Sequence, residues 1–204
     1  KALAVKGKGR ASDSRLESLL GLKKVRYTRL PASEVEKVFD PDYLVSAKLD
    51  GAAALVHLLN DKIDVLSYRI SSEGRPIIHT YRVGGLTGIN IPKSLVGTIL
   101  RGELMGYQDG KPIHPAELGG ILNASVAKSL EKQREKNIRL MVSLFDIYRL
   151  GMEDIPSSVP YEKRLAMVKK VMKALPKTKF KLVDIAETLE EARALWEAVI
   201  SGKH

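Results

Sequence analysis

The chain has 204 residues and no cysteine, which leaves room for one sizeable core and excludes disulfides and Cys-ligated zinc. No apolar run is long enough to span a bilayer, so no membrane partner is expected. The formal charge is +10, and nine basic residues against two acidic ones between Lys1 and Leu30 carry most of it; this points to a nucleic-acid partner, with a solvated basic tail as the alternative.

Residues 1–30 read as a basic N-terminal arm, in which Lys6, Lys8, Arg10, Lys23, Lys24 and Arg26 are candidate nucleic-acid contacts. Asp13 to Leu20 has Leu16, Leu19 and Leu20 at helical spacing. Arg29-Leu30-Pro31 ends the pattern, and 31–204 form the main domain.

An apolar run, Tyr43 to Val45, leads to Ser46-Ala47-Lys48-Leu49-Asp50-Gly51, and a second apolar run starts at Ala52. Asp-Gly between two such runs predicts a tight hairpin, with Lys48 and Asp50 on one face in apolar surroundings. A lysine so placed can act as a nucleophile, and the competing reading is a surface ion pair beside a turn.

A second hairpin is predicted from Val56 to Arg69 around Asn60-Asp61, followed by a polar turn at Ser71 to Arg75 and a short strand from Pro76 to Tyr81. Thr98 to Tyr107 reads as a strand turning at Asp109-Gly110. Gly102 inside it predicts a bulge or a ligand close to the backbone. Pro115 to Arg134 has helical character, weakened at Gly119-Gly120. Ile138 to Leu150 alternates as a strand. Pro160 opens an amphipathic helix to about Leu175, with Leu165, Val168, Val171 and Met172 inward. Phe180 to Ala186 reads as a last strand. Thr188 and Glu191 form a capping box for a helix whose Leu189, Ala192, Trp196 and Val199 share one face. Strands first, then strands mixed with helices, predict an α+β fold with a largely antiparallel sheet flanked by helices.

His57, His79, His114 and His204 have no paired spacing, and neither a phosphate loop nor a serine-hydrolase elbow is present. Four other segments fall in a telling order: Lys48-Leu49-Asp50-Gly51, Ser67-Tyr68-Arg69 after Val65-Leu66, Leu100-Arg101-Gly102-Glu103-Leu104, and Leu144-Phe145-Asp146-Ile147. In these the chain resembles the nucleotidyltransferase (adenylation) domain of ATP-dependent DNA ligases, within the superfamily that also holds RNA ligases and mRNA capping enzymes. The resemblance covers roughly Asp40 onward and implies an ATP-grasp-like nucleotidyltransferase core.

It also implies chemistry. The Lys48 amine attacks the α-phosphate of ATP, leaving AMP covalently on the lysine. AMP then passes to a 5′-phosphate, and the nick is sealed. Asp50 orients or deprotonates the amine, and Ser46, Ala47 and Gly51 lie along the nucleotide. Arg69 forks onto ribose or phosphate, Glu103 holds ribose hydroxyls or Mg²⁺, and Phe145 offers a flat face to adenine. The alternative readings are a surface Arg69, an ion pair between Glu103 and Arg101, and a plain core Phe145. The implied partner is nicked duplex DNA, bound by a monomer in the cytoplasm, nucleoid or nucleus in repair, replication or recombination. The rival functions are an RNA ligase or capping-type enzyme and a non-catalytic nucleic-acid-binding module.

Two positions depart from the family pattern: Ala53 stands where many DNA ligases carry Arg, and Ser46 where they often carry Glu. The family's last two motifs, an acidic-Gly strand and a Lys-bearing strand, would follow the helix after Thr188. The expectation is therefore a domain incomplete at its C-terminus and a poor catalyst alone.

Overall fold

The computed structural model describes residues 43–201, together with 16, 20–22, 34, 39 and 40. Ten strands are described: β1 (Val45–Ser46), β2 (Ala52–Leu58), β3 (Ile63–Ile70), β4 (Pro76–Ile78), β5 (Ile99–Gln108), β6 (Lys111–Pro112), β7 (Ile138–Leu150), β8 (Glu153–Asp154), β9 (Phe180–Leu182) and β10 (Ile185–Ala186). The α-helices are α1 (Thr80–Val83), α2 (Pro115–Leu122), α3 (Val126–Glu135), α4 (Tyr161–Met172) and α5 (Leu189–Ile200).

Eight strands form one sheet in the order β4-β3-β2-β5-β7-β8, with β6 added to β5 and β9 to β7. All its pairings are antiparallel except β7 with β9. β1 and β10 form a separate two-stranded sheet. This is the α+β, largely antiparallel architecture expected.

The large sheet is covered on both faces over much of its area. Ala54, Val56 and Leu58 of β2, Leu100 and Leu104 of β5, and Leu140, Val142 and Leu144 of β7 point into the main core, against α2, α4 and Phe180. The opposite residues Leu55, Leu66, Ile99 and Tyr148 form a second cluster with Leu16. Burial of both faces explains why β2 reads as a nearly continuous apolar run. Leu16, the helical residue described in the N-terminal stretch, is fully buried in that second cluster, and Leu20 and Leu22 pack against it. Lys6, Lys8, Arg10, Lys23, Lys24, Arg26 and Leu19 lie outside the described residues.

The β2–β3 hairpin, the turn at Asp109-Gly110 with both residues at positive φ, and the Thr188–Glu191 capping box stand as predicted. Four expectations are corrected. The Pro115–Arg134 helix breaks at Asn123–Ser125 rather than at its glycines, because Ser125 accepts from Lys128 N and starts a new helix. The Phe180–Ala186 strand is two strands serving different sheets. On α5, Ala192 is buried and Trp196 half-buried against Phe39 and Ala186, but Leu189 and Val199 are exposed. The fourth, at Lys48, belongs to the site. Among the described residues no helix is long and apolar enough to cross a membrane.

Leu16→Ala should lower stability by about 2–5 kcal/mol, the usual cost of emptying a filled leucine site. Urea unfolding measures it. A loss below about 0.5 kcal/mol, the range of exposed positions, would mean that the N-terminal stretch does not seal this face.

Candidate active site

The predicted hairpin at Lys48 does not form. β1 pairs with β10, Val45 opposite Ala186 and Ser46 opposite Ile185, not with β2. Residues 47–50 are a non-strand crossing from the small sheet to the large one, which the chain joins at Ala52. Ala47 is buried, Leu49 half-buried, and Ser46, Lys48 and Asp50 exposed. Lys48 thus reaches solvent instead of lying in apolar surroundings.

The far end of this loop is fixed by β5. Gly51 N–H donates to Glu103 Oε1 at 3.1 Å. A Cβ on Gly51 would sit 2.5 Å from the Leu104 carbonyl oxygen, 2.4 Å from Met105 Sδ and 2.9 Å from Glu103 Cγ. Only glycine brings the loop this close. Burial pushes the Glu103 carboxyl above its ordinary pKa; the Gly51 N–H and the charge of Lys48 pull it down, Asp50 pushes it up, and Arg101 pulls it down. Lys48 and Asp50 therefore lie within electrostatic reach of Glu103.

The register brings three of the four motif segments into one band with β2, and the Gly51–Glu103 hydrogen bond ties the fourth to it. Ser67 of β3 lies opposite Ala54 of β2, Ala54 opposite Gly102 of β5, and Gly102 opposite Leu144 of β7. Glu103 follows Gly102 and faces Ala53 on one side and Ser143 on the other. Arg69 leaves the end of β3 exposed, its N–H donating to Ser67 Oγ at 3.0 Å. Its strand slips against β4 between Leu66 and Ile70, so the two-residue period does not set its direction. The close approach at Gly102 comes from β7: a Cβ there would meet Val142 Cγ1 at 2.6 Å and the Ser143 carbonyl at 2.8 Å.

The Glu103–Arg101 ion pair does not form, since Arg101 engages other groups. Buried in the sheet, it donates from Nε to Tyr68 Oη at 2.7 Å and lies 3.9 Å from Asp146 Oδ2. Its guanidinium also faces the rings of Tyr148, Phe145 and Tyr68, 5.2, 5.6 and 5.7 Å from their centroids. Phe145 is half-buried and belongs to none of the apolar clusters, which disfavours the plain core reading. Motif reading gave Asp146 no role of its own and missed Arg164; the two are joined by Nε to Oδ1 at 2.8 Å and Nη2 to Oδ2 at 3.3 Å. Asp146 was legible only as the neighbour of Phe145. Arg164, on an amphipathic helix, carried no local signal.

The sequence profile of the family described as ATP dependent DNA ligase domain matches residues 26–204. The chain belongs to this family. No curated protein matches this chain. Among solved structures it is similar to the ATP-dependent DNA ligase from bacteriophage T7 in complex with ATP, at 17% identity and TM-score 0.50, covering 83% of this chain and 57% of that one. It is also similar to mycobacterial DNA ligase D complexed with ATP and MES, at 17% identity and TM-score 0.46, covering 74% of this chain and 42% of that one. The chain thus spans about half the length of these structures. The likeness to the phage enzyme is one of fold.

Electrostatics at Glu103 of the ligase domain give a signed expectation. A raised pKa means that the folded chain holds this proton more tightly than the unfolded chain, so ionised Glu103 is a cost to folding. The cost is absent below the ordinary value of 4.5 and complete above the folded pKa. Glu103→Gln keeps an oxygen for Gly51 N–H and removes the charge. Its stability relative to wild type should rise as pH increases from 4.5 and then level off. Urea midpoints across pH test this, and a variant losing ground as pH rises would contradict it.

Proposed function

We propose that this domain forms a covalent lysyl-AMP at Lys48 from ATP and passes the AMP to a 5′-phosphate at a nick in duplex DNA. The observation that supports it most is the band of register that sets Glu103 beside the Lys48 loop, with Phe145 one strand away. The Lys48 amine, exposed on its loop, attacks the α-phosphorus. A nitrogen–phosphorus bond forms, the bond to pyrophosphate breaks, and the amine gives up a proton. Asp50, two residues on and also exposed, is the nearest residue in sequence able to orient the amine or take that proton. Ser46, Ala47 and Gly51 line the approach, Arg69 reaches ribose or phosphate oxygens, and Phe145 stacks on adenine. In the second step an oxygen of the 5′-phosphate attacks the same phosphorus, the nitrogen–phosphorus bond breaks and the Lys48 amine takes back a proton. In the third a 3′-hydroxyl, losing its proton, displaces AMP from the 5′-phosphate and joins the strands. The reaction depends on positioning and charge neutralisation more than on covalent work by the protein.

Mg²⁺ fits one part of this site. Glu103 Oε1 holds the loop, which leaves Oε2 to face a cation, and Asp50 supplies a second hard oxygen ligand within electrostatic reach. Among the described residues no cluster of three or more His, Cys, Asp or Glu could cage a metal by itself. Nucleotide phosphates and water would supply the remaining ligands. When bound, the ion neutralises charge on the phosphates.

Incubation with α-labelled ATP and Mg²⁺, followed by a denaturing gel, should label the protein. Lys48→Ala should abolish the label, and Glu103→Gln should reduce it by about 10²-fold, the scale on which a preorganised charge acts. Label persisting in Lys48→Ala would overturn the assignment. GTP labelling better than ATP would favour a capping-type enzyme, and sealing of nicked RNA over nicked DNA an RNA ligase.

The basic residues Lys6, Lys8, Arg10, Lys23, Lys24 and Arg26 are proposed to bind the DNA backbone. Replacing Lys23, Lys24 and Arg26 together by Ala should weaken binding to nicked duplex regardless of sequence. It should also flatten the slope of log K against log salt by about 0.9 for each phosphate no longer neutralised. An unchanged slope in a filter-binding titration would remove these residues from the interface.

A further inference from the structure

Strand β7 slips twice against β5. Arg101 lies opposite Asp146 but Gly102 opposite Leu144, so Phe145 is the extra residue of a bulge. Bulges re-aim a side chain, and this one needs support because the ladder is broken there. The first turn of α4 provides it twice. Tyr161 Oη donates to the Phe145 carbonyl at 2.7 Å. Arg164 forks onto Asp146 from the same turn, and its Nη1 donates to the Val159 carbonyl at 2.5 Å. Asp146 Oδ1 also accepts from Ile147 N–H at 2.9 Å, and Arg101 faces the carboxylate from β5. The backbone of residue 145 and the side chain of residue 146 are thus gripped from α4 and β5 together.

A buried ion-pair network of this kind is a weak source of stability, because desolvation cancels much of its attraction. Asp146 is 4% exposed and Arg101 7%, yet the ring beside them lies outside every apolar cluster. Arg101, Asp146 and Arg164 are therefore held in place beside this residue, and the Arg101 guanidinium faces its ring.

We propose that Asp146 and Tyr161 are positioning residues that hold Phe145 as the stacking wall for the adenine of ATP. This rests on the nucleotide reading above. Arg101 covers one side of the ring, and the bulge turns the other toward the base. A base stacks well only on a ring whose rotamer is locked by its surroundings.

The test uses the full chain, with Asp146→Asn and Tyr161→Phe made alone and in a Phe145→Leu background. ATP affinity is measured by calorimetry. The ring is followed by fluorine NMR after replacing the three phenylalanines with 4-fluorophenylalanine, the signal of residue 145 being the one that disappears in Phe145→Leu. Asp146→Asn should weaken ATP binding about fivefold and Tyr161→Phe about twofold, and neither should weaken it further once Phe145 is Leu. The fluorine signal should shift or broaden in both single variants without ATP. Equal losses in the Leu background, or an unmoved signal, would overturn the proposal. If Asp146→Asn does not fold, Tyr161→Phe decides alone, since it removes one hydroxyl and no charge. If the wild-type chain binds no ATP, the nucleotide reading falls and takes the stacking role with it. An unmoved ring signal with normal ATP binding sinks the positioning role only.

Discussion

The hydrogen bond from Gly51 to Glu103 is the contact on which the site depends. It joins two segments 52 residues apart, and it is possible only because residue 51 has no Cβ. Any other side chain there would collide with the carbonyl of Leu104. The bond latches the Lys48 loop to the central strand of the sheet. It also occupies one oxygen of a carboxylate that burial has made costly to ionise. The same residue thus anchors the loop and carries unspent negative charge beside it. A positively charged ligand, or a metal on the phosphates of a nucleotide, offsets that cost.

The sheet keeps the carboxylates of Glu103 and Asp146 apart. Glu103 faces the loop, where Lys48 and Arg101 act on it and, among the described residues, Gly51 N–H is its hydrogen-bond partner. Asp146, across the ladder, is held by Arg164 and Ile147 N–H with Arg101 alongside. Arg101 is the divider. It lies two residues before Glu103 but is drawn to Asp146 and three aromatic rings, so among the described residues Glu103 has no close ion pair. Had Arg101 neutralised Glu103, as its spacing allows, of Glu103 and Asp50 only Asp50 would remain to meet a cation at the loop.

What the sequence made legible follows the range of each interaction. β5 and β7 were readable because strand periodicity is local, and the capping box because its partners are three residues apart. The Lys48 hairpin was misread for the same reason. An apolar run, Asp-Gly and another apolar run are a sound local hairpin signal, but the true partner of Val45 is Ala186, and nothing near Val45 announces it. Phe180 to Ala186 misled in the same way, since one apolar stretch divides at Val183-Asp184 to serve two sheets. At the candidate site, Lys48, Asp50, Gly51 and Glu103 were named from residue types in order, and the Gly51–Glu103 hydrogen bond joins their segments. The support of Phe145 could not: Arg164 is 18 residues from Asp146 on a helix whose pattern records only its buried face. Bulges erase the two-residue period where they occur, so the slips at Phe145 and Tyr148 were hidden too.

The pairing of β1 with β10 has a consequence for reactivity. A nucleophile on an exposed loop normally loses orientation to loop motion. Here the loop is pinned at both ends, by Val45 and Ser46 in one sheet and by Gly51 on Glu103 in the other. Only residues 47–50 span the gap, and within them Ala47 is buried and Leu49 half-buried. Lys48 and Asp50 are left as the side chains that reach solvent between two fixed points. Exposure then costs little order, and the amine keeps its access to a ligand. The arrangement also couples the site to the chain's most distant strand pairing: loss of the small sheet would release the loop at one end while Glu103 still held the other.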